Sequence, residues 1–315
     1  MRPLFVFLKK PPKVPFVSLR RIGFAVSIVL TLASVVLVAT RGLNFGIDFR
    51  GGIVMEVQNP KGPANLEGMR AVLNGLGLGD VALQTFGTPN DVLIRLPRQP
   101  GGDAEQGRAV EKARAALGTG YDYRRTEVVG PKVGNELIRA GQIAALSAIL
   151  AIAAYIWFRF EWQFGIGAMI SIVHDVVSTL GLFAALQMEF NLATLAAILT
   201  IAGYSINDKV VVYDRVRENM RKYKTMAFSD LLDLSLNETL SRTIMTSSAT
   251  ALAVLALLLF GGEVIRGFSA AMLWGIVIGT YSSLFVATPL LLYIQPRRNN
   301  KRDAAPAPGG KGKPA

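Results

Sequence analysis

Six apolar runs dominate the chain, at residues 22–40, 137–158, 164–186, 192–213, 243–260 and 268–293. Each approaches or exceeds the roughly 20 helical residues that cross a hydrocarbon core. The fifth is the shortest as read, and its helix is expected to begin a turn or two before residue 243. Only the stretch between the first and second runs breaks the pattern. There IVMEVQ (53–58) reads as a strand, and ANLEGMRAVLNGL (64–76) puts Leu66, Met69, Leu73 and Leu76 on one helical face. VALQTFG and DVLIRL flank the turn residues TPN and predict a hairpin. DAEQGRAVEKARAALG gives a second, weaker helix and YDYRRTEVV a last strand.

The predicted order βαββαβ is that of a ferredoxin-like α+β domain. Val54, Leu66, Leu73, Leu83 and Leu93 are its expected core residues. The architecture predicted is a membrane α-helical bundle of six transmembrane helices, with that domain outside the membrane between the first and second. A fold of this kind hosts many unrelated functions and does not name one.

Charge orients the bundle. Six Lys/Arg precede the first run; Arg215, Arg217, Arg221, Lys222, Lys224 and Arg242 lie between the fourth and fifth; Arg297, Arg298, Lys301, Arg302, Lys311 and Lys313 follow the sixth. The short connections MEFN and GGEVIR carry only Arg266. The excess of Lys and Arg on cytoplasmic loops places both termini inside and residues 41–135 outside. The chain then divides into a basic cytoplasmic N-terminus (1–21), a first transmembrane helix (22–40) and the periplasmic domain (41–135). Transmembrane helices two to six (136–294) follow, with a cytoplasmic loop near 214–242, and then a disordered basic tail (295–315). The first run is too long for a signal-peptide core, and no small-residue cleavage site follows it, so it is read as an uncleaved anchor.

Composition excludes several classes. Of 315 residues, 51% are hydrophobic and the mean hydropathy is +0.38, well above a soluble globule. The net charge of +12 sits in clusters beside the spans, where anionic lipid headgroups account for it without nucleic acid. No cysteine is present, which removes disulfides and thiol chemistry. No metal-ligand spacing and no nucleophile elbow occurs, and the GGKGK of the tail lacks the strand and helix of a phosphate loop. No enzyme, cofactor or metal is expected.

Ionisable groups inside the spans need a reason, because each costs about 2.5–3.5 kcal/mol to insert. His174 and Asp175 lie about 16 Å deep in the third span, on the scale of 1.5 Å per residue. Ser171, Asp175, Ser178 and Thr179 form a polar stripe that must face protein. In the fourth, Tyr204, Asp208 and Arg215 share a face; in the fifth, Arg242, Thr246 and Thr250 recur at intervals of four. Ser and Thr are read as hydrogen-bonding glue between helices. Lys209 and Arg215 are expected to snorkel to the inner surface. Asp208 is read as functional because a carboxylate can change charge. Asp175 stands between that role and a fixed pair with a lysine or arginine.

These motifs together resemble the SecF family, whose members pair with SecD in the bacterial SecDF accessory complex, within the resistance-nodulation-division superfamily. The resemblance rests on LNFGIDFRGG (43–52), the HD pair at 174–175, GYSINDKVVVYDRVREN (203–219) and SLNETLSRTIMTS (235–247), in that order. It implies a multi-pass protein of the bacterial inner membrane with no reaction and no cofactor of its own. The implied partners are SecD, the SecYEG channel with SecA, preproteins in transit and membrane lipids, with no nucleic acid. It also implies that the proton-motive force drives preprotein translocation through Asp208 in the fourth span and Arg242 at the start of the fifth. The turn holding Asp48, Gly51 and Gly52 is a candidate hinge, or simply a tight turn into the first strand. The rivals are a proton-driven half-transporter exporting a small molecule or lipid, and a membrane scaffold. One outer block of 95 residues argues against the first and Asp208 against the second.

Overall fold

The computed structural model describes residues 13–294, so the first part of the basic N-terminus and the tail read as disordered lie outside the described residues. Six helices, or helix pairs in line, are long and apolar enough to cross a membrane. They are α1 (Arg20–Arg41), α5 (Pro131–Arg159), α6 (Trp162–Leu186), α7 (Leu192–Lys222), α8 (Phe228–Phe260) and the α9 (Arg266–Ser282)–α10 (Thr288–Ile294) pair. Most of the segment read as a cytoplasmic loop is helical. α7 runs on to Lys222 and α8 starts at Phe228, leaving Tyr223–Ala227 as the connection.

α6, α7 and α9–α10 form the bundle's centre, and α1, α5 and α8 stand around them. Small residues set the close approaches, as expected where lipid is as apolar as leucine. On α1, Gly23, Ser27 and Ser34 are buried while Ile22, Val26, Val29 and Leu32 face outward. A Cβ at Gly23 would lie 2.8 Å from Phe285 Cβ, and one at Gly181 would collide with Ser34. Tyr281 Oη donates to the Gly23 carbonyl at 2.7 Å, fixing α1 to the sixth span.

Between α1 and α5 the chain forms β1 (Asn44–Phe45), the one-turn helix α2 (Ile47–Arg50), β2 (Gly52–Gln58), α3 (Leu66–Asn74), β3 (Ala82–Phe86), β4 (Thr88–Leu96), α4 (Asp103–Leu117) and β5 (Asp122–Val129). β2 to β5 make an antiparallel sheet in the order β3-β4-β2-β5, with α3 and α4 packed over its apolar face. Asn65 caps α3 by accepting from the Gly68 amide at 3.0 Å. A further strand, β6 (Glu189–Phe190), precedes α7 and pairs in parallel with β1.

Two local expectations need correction. The buried face of β2 is Ile53, Met55 and Val57, not Val54. Side chains alternate across a strand, so Val54 shares the face of Glu56, which cannot be buried under the helices. Leu93, opposite Glu56 in the register, lies on that second face too, buried but outside the cluster that holds Leu73 and Leu83. The hairpin turns at Gly87 (φ +77°), because a glycine reaches that conformation without strain, and Thr88, Pro89 and Asn90 already belong to β4.

The cluster under α3 and α4 is self-contained. A fragment of residues 43–130 is therefore expected to fold alone, with the circular dichroism of a mixed α/β protein. A disordered spectrum would contradict that.

Candidate functional site

Two neighbouring residues of α7 point into different surroundings. Successive helical residues are about 100° apart, so Lys209 faces α6 and the sixth span while Asp208 faces α8. Lys209 does not snorkel: it is 1% exposed, among the most deeply buried large side chains. Its Nζ lies 3.0 Å from Asp175 Oδ2 and also donates to Ser205 Oγ and to Ser282 Oγ, the latter at 3.2 Å. Ser205 and Ser282 in turn donate to Asp175 Oδ2 at 2.5 and 2.9 Å. His174 Nδ1 lies 3.0 Å from Asp175 Oδ1, and its Nε2 is buried without a partner. A cation and a carboxylate taken out of water must be paired and hydrogen-bonded, and these are.

Asp208 is held far more loosely. Its Oδ1 accepts from Thr243 Oγ1 at 2.6 Å, while Oδ2 is sealed from solvent with no hydrogen-bond partner. Arg242, one residue before Thr243, lies on the exposed side of α8 and makes no ion pair with Asp208. Thr246 and Thr250 turn their hydroxyls onto the carbonyls of Arg242 and Thr246, at 3.0 and 2.9 Å.

The sixth span breaks its helical register beside this site. The cause is Pro289, which has no N–H to give the carbonyl four residues back. The ladder widens to a π-helical turn over Ser283–Ala287, a form found often at functional sites. Thr288 Oγ1 and Tyr213 Oη satisfy the Ser283 and Ala287 carbonyls at 2.9 and 3.1 Å. Tyr213 packs among Phe160 and Phe164 and closes the inner side of the cluster.

The other expected residues differ in their burial. Ser171, Asp175, Ser178 and Thr179 are all buried, and Ser178 Oγ accepts from Trp274 Nε1 at 3.1 Å. Arg215 is partly exposed, as a snorkelling residue would be, and is engaged there by Glu218 and Glu238 at 2.7 and 3.1 Å. Asp48, Gly51 and Gly52 lie apart from Asp208, at the outer end of the bundle. Gly51 (φ +72°) and Gly52 (φ +131°) both need glycine, and a Cβ at residue 52 would sit 2.7 Å from the Leu96 carbonyl oxygen. Among the described residues no group of three His, Asp or Glu side chains could hold a metal ion. Sequence reasoning missed Ser205 and Ser282 beside Asp175 and Thr243 beside Asp208. Ser205 and Lys209, four apart on one helical face, were the available clue.

Residues 109–297 match the family "Protein export membrane protein SecD/SecF, C-terminal", and residues 36–58 match the "SecD/SecF GG Motif". The chain is 47% identical to the protein translocase subunit SecF of Rickettsia felis over 293 residues, covering 91% of this chain and 94% of that protein. The SecF of Rickettsia prowazekii is 45% identical, over 91% and 93%. The crystal structure of SecDF from Thermus superposes with a TM-score of 0.80 at 34% identity, covering 94% of this chain and 40% of that one. A SecDF structure in the super-membrane-facing form gives 0.68 at 34%, covering 93% and 40%. The chain thus spans about two-fifths of the SecDF chains.

Proposed function

The chain belongs to the SecF family of Sec-pathway translocase subunits, and from that premise we propose that protonation of Asp208 couples the proton gradient to preprotein export. As a SecF subunit it is a multi-pass inner-membrane protein with no enzymatic reaction of its own. The observation that carries the proposal is the state of Asp208: a buried carboxylate with one oxygen unpartnered, beside a span whose arginine faces outward. A buried carboxylate favours its neutral form, and a guanidinium brought beside it favours the charged form. Movement of Arg242 toward or away from Asp208 would switch proton capture and release. Asp175 enters this scheme as the fixed counter-charge of Lys209, since Lys209, Ser205 and Ser282 all donate to its Oδ2 while His174 lies against Oδ1. Gradient-driven export by Asp208→Asn vesicles tests the proposal.

SecD is the partner this reading requires. Gly203 and Asn207 on α7 and Arg242 on α8 are exposed in the isolated chain, and a second bundle covering that side would enclose the Asp208 site. The SecYEG channel, SecA and preproteins complete the assembly. The βαββαβ order, antiparallel pairing and two helices on one face support classing the outer domain as ferredoxin-like.

The charge pattern supports cytoplasmic termini. Of two introduced cysteines, Thr119→Cys is expected to react with a membrane-impermeant reagent in intact cells and Lys224→Cys is not. Labelling at position 224 would reverse the orientation.

A further inference from the structure

The helix that carries Asp208 begins at a corner where three distant parts of the chain meet. α7 is unbroken from Leu192 to Lys222 and contains no proline. Asp208 sits about 24 Å along it from Leu192, at 1.5 Å per residue. No proline interrupts the hydrogen-bond ladder between the two, so displacement at Asp208 can be carried to Leu192.

What Leu192 meets is specific. Its amide is one of the first-turn donors that a helix cannot satisfy itself, and it donates to Asp48 Oδ2 at 2.9 Å. Asp48 lies in α2, just past the first span and just before Gly51 and Gly52, where the outer sheet begins. Glu189, shortly before α7, is in register with Asn44 in the β1–β6 ladder, and Phe45 with Phe190. The rings of Phe45, Phe49 and Phe190 pack at 5.7–5.8 Å between centroids. The Glu189 side chain lies across Gly46, where any Cβ would collide with its carboxylate. Beyond that, Glu189 forms an ion pair with Arg95. Arg95 belongs to β4, with Val54 of β2 on one side in the register and Ala82 of β3 on the other. At the corner itself Gln187 holds a left-handed φ of +51° and donates its side-chain amide to the Ala184 carbonyl at 2.7 Å.

We propose that Asp48, Glu189 and Arg95 are positioning residues that together form a joint carrying movement of α7 into the sheet of the outer domain. The joint rests on the reading that Asp208 is the proton-responsive group. Its parts suit the task. The backbone ladder and the three phenylalanines keep the two segments together. The carboxylate cap and the ion pair are polar contacts that can be remade at a new angle. The pathway is direct, from the helix bearing Asp208 to a central strand, and does not need the first and second spans to relay it.

The absence of cysteine lets Thr119→Cys and Phe260→Cys carry a spin-label pair that reports the outer domain against the bundle. The full chain with its SecD partner would be placed in vesicles, and label distance and preprotein export measured with and without an imposed proton gradient. The parent is expected to change its label distance when the gradient is imposed. Glu189→Gln and Arg95→Gln should each reduce that change and gradient-driven export at least about twofold. The exchanged pair Arg95→Glu/Glu189→Arg should recover both, as contact between the two side chains requires. An unaltered response in Glu189→Gln, or an exchanged pair no better than the single variants, overturns the joint. A parent with no distance change, whose export is nevertheless lost in Asp208→Asn, overturns the joint and leaves the Asp208 reading standing. Export indifferent to Asp208 removes the reading, and the joint with it.

Discussion

Replacing Lys209 with methionine is expected to destabilise the protein by about 3–5 kcal/mol, the usual cost of removing one partner from a buried ion pair. Asp175 is 0% exposed, and without Lys209 its charge would face only Ser205, Ser282 and His174 at the bundle's centre. Total stability of a folded domain is only about 5–15 kcal/mol, so a loss of this size should also deplete the protein from the membrane. The double variant Asp175→Asn/Lys209→Met should recover most of the loss, because it removes both charges and leaves an amide for the serines. Thermal unfolding in mild detergent, with abundance in membranes as a second reading, checks both. A double variant as unstable as Lys209→Met alone would mean that the pair is not what holds these helices.

That pair also marks the limit of what the sequence discloses. The six spans were legible because each is a long apolar run, and the outer domain because periods of two and 3.6 alternate between them. Asp208 stood out because a charge in such a run has a cost. Lys209 was misplaced for a physical reason: near the end of an apolar run a lysine can as easily reach water as a buried partner. The choice was made by Asp175, 34 residues away, and Ser282, 73 residues away, which no local pattern connects. The β2 face was lost on a smaller scale, where Ile53, Val54 and Met55 are all apolar and only Glu56 and Gln58 tell the faces apart. Asp48 was visible as part of a motif, but its bond to Leu192 links positions 144 apart.

Asp208→Asn is expected to insert, pair with SecD and reach normal abundance, yet lose the part of export that depends on the proton gradient. Asparagine keeps the volume, and its side-chain oxygen can still accept from Thr243 Oγ1, so the contact between α7 and α8 survives. What disappears is the protonation equilibrium. One proton crossing 100 mV supplies about 2.3 kcal/mol, enough to bias a two-state arrangement several tens-fold, and an amide cannot collect it. Arg242→Ala is expected to show a similar export defect with little loss of stability, because Arg242 is exposed and makes no ion pair with Asp208. The direct measurement is the rate of preprotein export in vesicles, compared with and without an imposed proton gradient, for the parent and for Asp208→Asn. The account predicts that the gradient accelerates the parent and leaves the variant at its basal rate; a variant that keeps the full acceleration would contradict it and reduce Asp208 to a contact between helices.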